Sequence, residues 1–206
     1  MQTVYAQMGM SLDGFIAGPG DGPGNPLGSG GERIHEWVFD LAAWRRRQGL
    51  EGGRTGSDND RVVRILERNG AVVMGRRMFD NGEKPWGPNP PYRCPVFVVT
   101  HSGRERLVRE GGTTFSFVTG GLHDALEQAR AAAGDKDVEI SGGADVVQQC
   151  LLAGLLDEVE IHIAPVLLGG GIRLFDRPEL TRISLERTEV AASPDVTHVV
   201  FGVTAG

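Results

Sequence analysis

The sequence is poor in the residues that mark several common chemistries. It has only two cysteines, Cys94 and Cys150, far apart and without metal-ligand spacing. They read as buried thiols rather than a disulfide pair. The histidines, His35, His101, His123, His162 and His198, also lack ligand spacing, so no metal is expected. There is no G-x-S-x-G elbow and no G-x-x-x-x-G-K-[ST] loop, which removes hydrolase and P-loop readings. Apolar runs are only a few residues long, so no span of a membrane is expected. The opening MQTVYAQMGM has no basic segment followed by a long apolar one; no secretory signal is expected, and the cytoplasm is the expected location. A basic excess is missing too. The net charge is -6, which argues against nucleic acid as a partner. No break in composition divides residues 1–206, so a single domain is expected.

Glycine is what the chain has in quantity: 31 residues, clustered at 18–31, 49–56, 142–143 and 169–171. The most informative stretch is 137–175. A short apolar run ends at Ile140, Ser141-Gly142-Gly143-Ala144 turns the chain, an amphipathic helix runs to Gly154, an alternating strand follows, and Gly169-Gly170-Gly171 closes the unit. A helix N-terminus after a glycine turn offers unpaired N–H groups and partial positive charge, the chemistry that holds a phosphate-bearing ligand.

Val4–Met10 alternates as a strand, then Ser11-Leu12-Asp13-Gly14 turns into Phe15-Ile16-Ala17. The glycine- and proline-rich 18–31 segment reads as a lid or wall of a cleft. Residues 32–46 place Ile34, Trp37, Val38 and Leu41 at helical spacing. Either Trp37 packs in the core, or Trp37 or His35 lines a substrate pocket. Ser57 and Asp60 stand in capping-box spacing before a helix expected to stop at Asn69-Gly70. Ala71–Met74 is an apolar strand running into Gly75-Arg76-Arg77 and another helix turn; 81–95 reads as loop. Val96–Val99 and Thr114–Val118 are further strands, ending at Thr100-His101-Ser102 and Thr119-Gly120-Gly121. A helix through Leu122 and Ala129 ends at Gly134. In 158–164, Val159, Ile161 and Ile163 face one way and Glu158, Glu160 and His162 the other. Ile183–Val203 alternates about Pro194-Asp195 as a terminal hairpin. Strands alternating with helices, closed by antiparallel strands, give an α/β three-layer domain with a mixed, mostly parallel sheet. Its ligand is expected at the carboxyl ends of the strands.

Ser11-Leu12-Asp13-Gly14-Phe15-Ile16-Ala17, the Val73-Met74-Gly75-Arg76 strand end, Ser141-Gly142-Gly143-Ala144 with Leu155-Leu156-Asp157-Glu158, and Pro165-Val166-Leu167-Leu168-Gly169-Gly170-Gly171 occur in this order and spacing over nearly the whole chain. Together they resemble the dihydrofolate reductase-like superfamily, in the branch that includes the reductase domain of riboflavin-biosynthesis deaminase-reductases. The resemblance implies an NADPH-dependent reductase with a mixed eight-stranded sheet, often a homodimer. It puts the Gly142, Gly143, Ala144 and Asp145 turn at the cofactor diphosphate, and Gly75, Arg76 and Arg77 at the diphosphate and 2′-phosphate. Thr100, His101 and Ser102 fall at the adenosine ribose phosphate, and Ile16 and Ala17 near the nicotinamide. Arginine suits phosphate because its planar fork binds two oxygens at once, and Arg104 is a further cation nearby.

For the proton that must accompany a hydride, the acid candidates are Asp13, in the turn at the cleft, and Asp58 or Asp60 at the start of the helix before Ala71. Each has an alternative reading as turn or capping chemistry. Asp13, Trp37 and Asp58 are the candidates for touching substrate. No folate-pocket pattern occurs in 18–40, and no zinc motif of a deaminase domain is present. The expected activity is reduction of a small cyclic or heteroaromatic compound; the alternative is a nucleotide- or ligand-binding protein that keeps the fold without turnover. The 158–164 strand with Pro165–Leu168 reads as a dimer edge.

Overall fold

A computed structural model describes residues 2–204. The chain runs β1 (Val4–Ser11), β2 (Phe15–Ala17), α1 (Glu36–Phe39), α2 (Ala42–Arg47), α3 (Ser57–Arg68), β3 (Asn69–Gly75), α4 (Arg76–Trp86), β4 (Pro95–Val99), β5 (Leu107–Val108) and β6 (Thr114–Val118). It continues with α5 (Leu122–Ala133), β7 (Asp137–Gly142), α6 (Ala144–Leu152), β8 (Glu158–Ala164), β9 (Ile172–Arg173), β10 (Ser184–Ala192) and β11 (Thr197–Thr204). A nine-stranded sheet has the order β10-β11-β8-β1-β7-β3-β4-β6-β5, one strand more than the resemblance implies, and β2 pairs with β9 in a small second sheet. From β8 through β6 the neighbours are parallel. The margins are antiparallel, and the C-terminal β10–β11 hairpin is one of them.

Alternation along the strands assigns the layers. Val4, Ala6 and Met8 of β1 join Ala71 and Val73 of β3 and Val138 and Ile140 of β7 in the apolar layer under α5 and α6. On the other face, Val72 and Met74 pack with Phe79 of α4. Continuous apolar runs such as Ala71–Met74 are thereby buried on both sides, as a parallel sheet requires. The same second face is polar further along. Tyr5, Glu139, Glu160 and His162 are each under a tenth exposed, and α1 to α3 cover them.

Several local expectations are corrected. The helix expected over 32–46 is broken into a short 3₁₀ turn, α1 and α2, with Leu41 extended between the last two. Gly56, not Ser57, caps α3, and no side chain bonds the cap; the capping box is unused. Asn69 is extended, so α3 passes directly into β3 without a left-handed stop. The loop expected from residue 81 is helix as far as Trp86; Pro85 enters only in the last turn of α4. The strand read as a dimer edge, β8, is interior: β1 and β11 pair with it on both sides. The sheet's margins are β10 and the two-residue β5, and β10 is exposed along most of its length.

Gly171 shows why the last glycine cluster is needed. Its φ is +120°, and a Cβ there would sit 2.0 Å from the Ala17 carbonyl oxygen. Only a glycine lets the chain cross β2 at this distance.

Candidate active site

The carboxyl ends of β1, β3, β4, β6 and β7 open into a cavity of about 1620 Å³. A drug-sized ligand site spans roughly 300–1,000 Å³, so this one has room for two ligands side by side. Eleven of the twelve residues expected at a cofactor line it: Ile16, Ala17, Gly75, Arg76, Arg77, Thr100, His101, Ser102, Gly143, Ala144 and Asp145. Gly142 lies behind them. Its φ is +113°, and a Cβ would press on Met8 at 3.2 Å. Gly143 has open space where a Cβ would be, so a ligand can meet its backbone directly. α6 starts at the next residue; Val146 and Val147 donate to the Gly143 carbonyl at 3.1 and 3.3 Å, and the Ala144 and Asp145 N–H groups before them have no intrahelical acceptor. At the neighbouring strand end a Cβ on Gly75 would come within 3.0 Å of Val146 on α6. That close approach brings the starts of α4 and α6 together.

The cations at this end are already engaged. Arg76 Nε donates to Asp80 at 2.7 Å, and Arg104 forks onto Glu83 at 2.7 and 2.9 Å. Arg77 donates from Nε and Nη2 to the two oxygens of Asp21 at 2.9 and 2.6 Å. Asp21 belongs to the 18–31 loop, which is thereby fastened as a wall of the cavity along with Asn25, Pro26 and Leu27. Asp145 faces the cavity and pairs with Arg177. Thr100 is buried in its turn, where its hydroxyl accepts from Ser102 N at 3.1 Å, whereas His101 and Ser102 are exposed.

Neither acid assigned to catalysis reaches the cavity. Asp13 accepts from Ser11 Oγ at 2.6 Å and from the backbone N–H groups of Leu168 and Gly169 at 3.2 and 2.7 Å. The Ser11 hydroxyl, then the two amides, hold its pKa down at about 2. It clamps the loop after β8 and is not poised to release a proton. Asp60 is exposed on α3, away from the cavity walls. Asp58 is buried and bonds His198 rather than lining the cavity. Trp37 does line it, against the rings of His162 and His198 at 5.2 and 5.1 Å, and its Nε1 is buried without a partner.

The carboxyl that lines the cavity from the sheet is one the motifs did not single out. Glu139, on β7 two residues before the glycine turn's Ser141, is 8% exposed. Asn69 Nδ2 donates to it at 2.5 Å, and among the described residues no ion pair reaches it. Burial raises its pKa to about 7, with the Ser141 hydroxyl pulling the other way. Asn69 Oδ1 and the Tyr5 hydroxyl are buried without partners. His35, also in the wall, is pushed down to about 4 by burial. It fits because residue 9 is glycine: a Cβ there would be 2.8 Å from its ring. The signal that could have found this end is the interruption of apolar strands by single polar residues, Glu139 between Val138 and Ile140 above all.

Among the described residues no group of three His, Cys, Asp or Glu side chains is placed to hold a metal ion. Cys94 and Cys150 are separate buried thiols. No helix among these residues is long and apolar enough to cross a membrane.

The family model of the RibD C-terminal domain matches residues 2–199. The chain belongs to the RibD C-terminal domain family. Among curated proteins it is similar to the uncharacterized protein YyaP of Bacillus subtilis (strain 168), 24% identical over 144 residues, which is 66% of this chain and 76% of that one. Among solved structures, a Shewanella sp. PV-4 protein assigned to riboflavin biosynthesis superposes with a TM-score of 0.70 at 24% identity, over 98% of this chain and 99% of that one. Dihydrofolate reductase of Enterococcus faecalis, solved with NADP(H) and RAB-propyl, gives 0.55 at 12% identity over 98% and 96%. A diaminohydroxyphosphoribosylaminopyrimidine deaminase/5-amino-6-(5-phosphoribosylamino)uracil reductase of Thermotoga maritima gives 0.59 at 15% identity, over 98% of this chain and 57% of that one. The RibD C-terminal domain thus has the dihydrofolate reductase-like fold here, as the motifs imply.

Proposed function

We propose that this chain is an NADPH-dependent reductase of a small cyclic or heteroaromatic substrate. The observation that carries the reading is the single cavity with two unlike ends: backbone amides and arginines at one, buried hydrogen-bonding side chains at the other. When bound, NADPH would supply the hydride. The Ala144 and Asp145 amides at the start of α6 and the bare backbone of Gly143 suit its diphosphate. Arg76 and Arg77 suit the 2′-phosphate, and each guanidinium keeps donors beyond those spent on Asp80 and Asp21. Thr100, His101 and Ser102 would flank the adenosine ribose, and Ile16 and Ala17 the nicotinamide. The substrate would lie beyond them, over Gln7 and under Trp37, closed off from water by the 18–31 loop.

The test is titration with NADPH, following quenching of tryptophan fluorescence, and then NADPH oxidation with a panel of pyrimidinones, pterins, quinones and enones. Absence of NADPH binding removes the cofactor reading. The placement of Asp13 and Asp60 away from the cavity supports a second reading, a binding protein without turnover. NADPH binding with no oxidation across the panel would favour it. We place the protein in the cytoplasm and expect a homodimer, with exposed β10 as the edge available for pairing. A monomer in sedimentation at micromolar concentration would remove the dimer.

A further inference from the structure

Beneath the substrate end, four side chains from four elements form one hydrogen-bonded row. Gln7 Nε2 on β1 lies 2.9 Å from His162 Nε2 on β8. His162 Nδ1 lies 2.7 Å from His198 Nδ1 on β11. His198 Nε2 lies 3.3 Å from Asp58 Oδ1 on α3. The two histidines face each other in the β8–β11 register, and both are at most 2% exposed. Only the Gln7 and His162 end lines the cavity.

Chemistry gives this row a direction. Burial lowers the pKa of both imidazoles and the nearby Arg61 guanidinium lowers them further, while Asp58 pulls His198 the other way without reversing the shift; Glu160 is held by Arg61 at 2.6 Å. Each ring is therefore neutral, with one N–H and one lone pair. A carboxylate only accepts, so the His198 proton is on Nε2 and its Nδ1 is a lone pair. His162 must then donate from Nδ1, which leaves Nε2 as a lone pair. Gln7 must present its NH₂ to that lone pair, and its carbonyl oxygen is the group left for the cavity. The opposite order would need a protonated Asp58 or an imidazolium at His198, and burial beside Arg61 disfavours the latter.

We propose that Asp58, His198 and His162 are positioning residues that hold Gln7 as a hydrogen-bond acceptor, so that the cavity selects a ligand edge bearing an N–H or O–H. This rests on the reading of the cavity as a substrate site. The unpartnered Trp37 indole N–H in the same wall is a donor. An N–H edge, as in a cyclic amide, matches the Gln7 acceptor.

The tautomers are measurable without substrate or cofactor, by long-range ¹H–¹⁵N correlation of the histidine rings in the intact protein at neutral pH. The expected result is a neutral His198 protonated at Nε2 and a neutral His162 protonated at Nδ1. His162 protonated at Nε2 overturns the proposal. Asp58→Asn can donate as well as accept, and should mix or reverse both tautomers; unchanged tautomers in a folded Asp58→Asn protein remove Asp58 as the anchor. The ligand preference is read with 2-pyridone against N-methyl-2-pyridone, which lacks the donor. In the wild type, 2-pyridone should shift the Gln7 amide and bind about tenfold more tightly, the worth of one hydrogen bond. In Asp58→Asn the preference should fall toward one. Equal shifts from both compounds, or none from either, overturn the acceptor assignment. Loss of the reductase reading would show instead as absent NADPH binding with the tautomers as expected.

Discussion

The two ends of the cavity are made of different material. The α4–α6 end is backbone: glycines at Gly75, Gly142 and Gly143, helix starts, and arginines neutralised by nearby carboxylates. The α3 end is side chain: Gln7, Glu139, Asn69 and His162, drawn from four strands and enclosed by helices. Backbone amides at a helix start present partial charge with little reorganisation and suit any phosphate. Buried side chains are costly unless satisfied and discriminate sharply when they are not. The first construction fits a cofactor shared by many enzymes, the second a particular substrate.

Breaking the side-chain end should give the largest effect, at Glu139. Its carboxyl titrates near 7 in the fold against an ordinary value of 4.5. Between those pH values the folded state holds a proton that the unfolded state has released, so stability falls as pH rises through that window. The shift corresponds to on the order of 3 kcal/mol. Glu139→Gln, which stays neutral, should lose this slope: denaturant melts from pH 5 to 8 should separate the two proteins, with the variant relatively more stable above pH 7. Parallel curves would mean that Glu139 is charged in the native state.

The backbone end breaks at Gly142. An alanine there takes a φ of +113° and presses Met8, at a cost of about 1–3 kcal/mol in strain. NADPH affinity should fall by more than tenfold while the histidine tautomers stay as they are. An effect on both together would mean that the two ends are not separable. Arg77 gives a smaller, sharper test. Arg77→Gln should cost NADPH, but not NADH, about tenfold in Kd, one charge-assisted contact to the 2′-phosphate. Asp21→Asn should move NADPH affinity the other way by releasing the guanidinium, and equal loss for both nucleotides would remove Arg77 from the phosphate.

The same difference decides what was legible. Gly142-Gly143 leads into α6 and Gly75 into α4, which opens with Arg76-Arg77; these are consecutive residues, so local sequence carries their geometry, and all but Gly142 line the same cavity. The side-chain end comes from alternate residues of strands far apart in the chain. Alternation in 158–164 separates two faces but does not say which meets water. Glu160 and His162 suggest an exposed side, yet α1 and α3 cover them, and Arg61 bonds Glu160 across the gap. Asp58 illustrates the limit: a helix-start aspartate suggests a cap, while its partner is 140 residues away on β11. The break at Asp40–Leu41 is held by Arg54, whose backbone N–H donates to the Asp40 carbonyl and whose carbonyl accepts from Ala42 N, a contact that local propensity does not contain.

Asp13 should give the smallest effect, and it tests whether a turn residue at the mouth belongs to either end. Its carboxylate accepts from one hydroxyl and two amides of the loop after β8, and it does not face the cavity. With its pKa near 2, it is ionised throughout the range in which an enzyme would need a proton from it. The linkage sign is opposite to that of Glu139. The folded state binds its proton less tightly than the unfolded state, so its contribution to stability is present above pH 4 and is lost as pH falls toward 2. Asp13→Asn keeps an accepting oxygen but not the charge. It should lower the melting temperature slightly at pH 7 and not at pH 2, with NADPH affinity and the pH profile of any oxidation unchanged. A variant that binds NADPH normally but has lost turnover would instead return Asp13 to the chemistry and make the mouth of the cavity a third functional region.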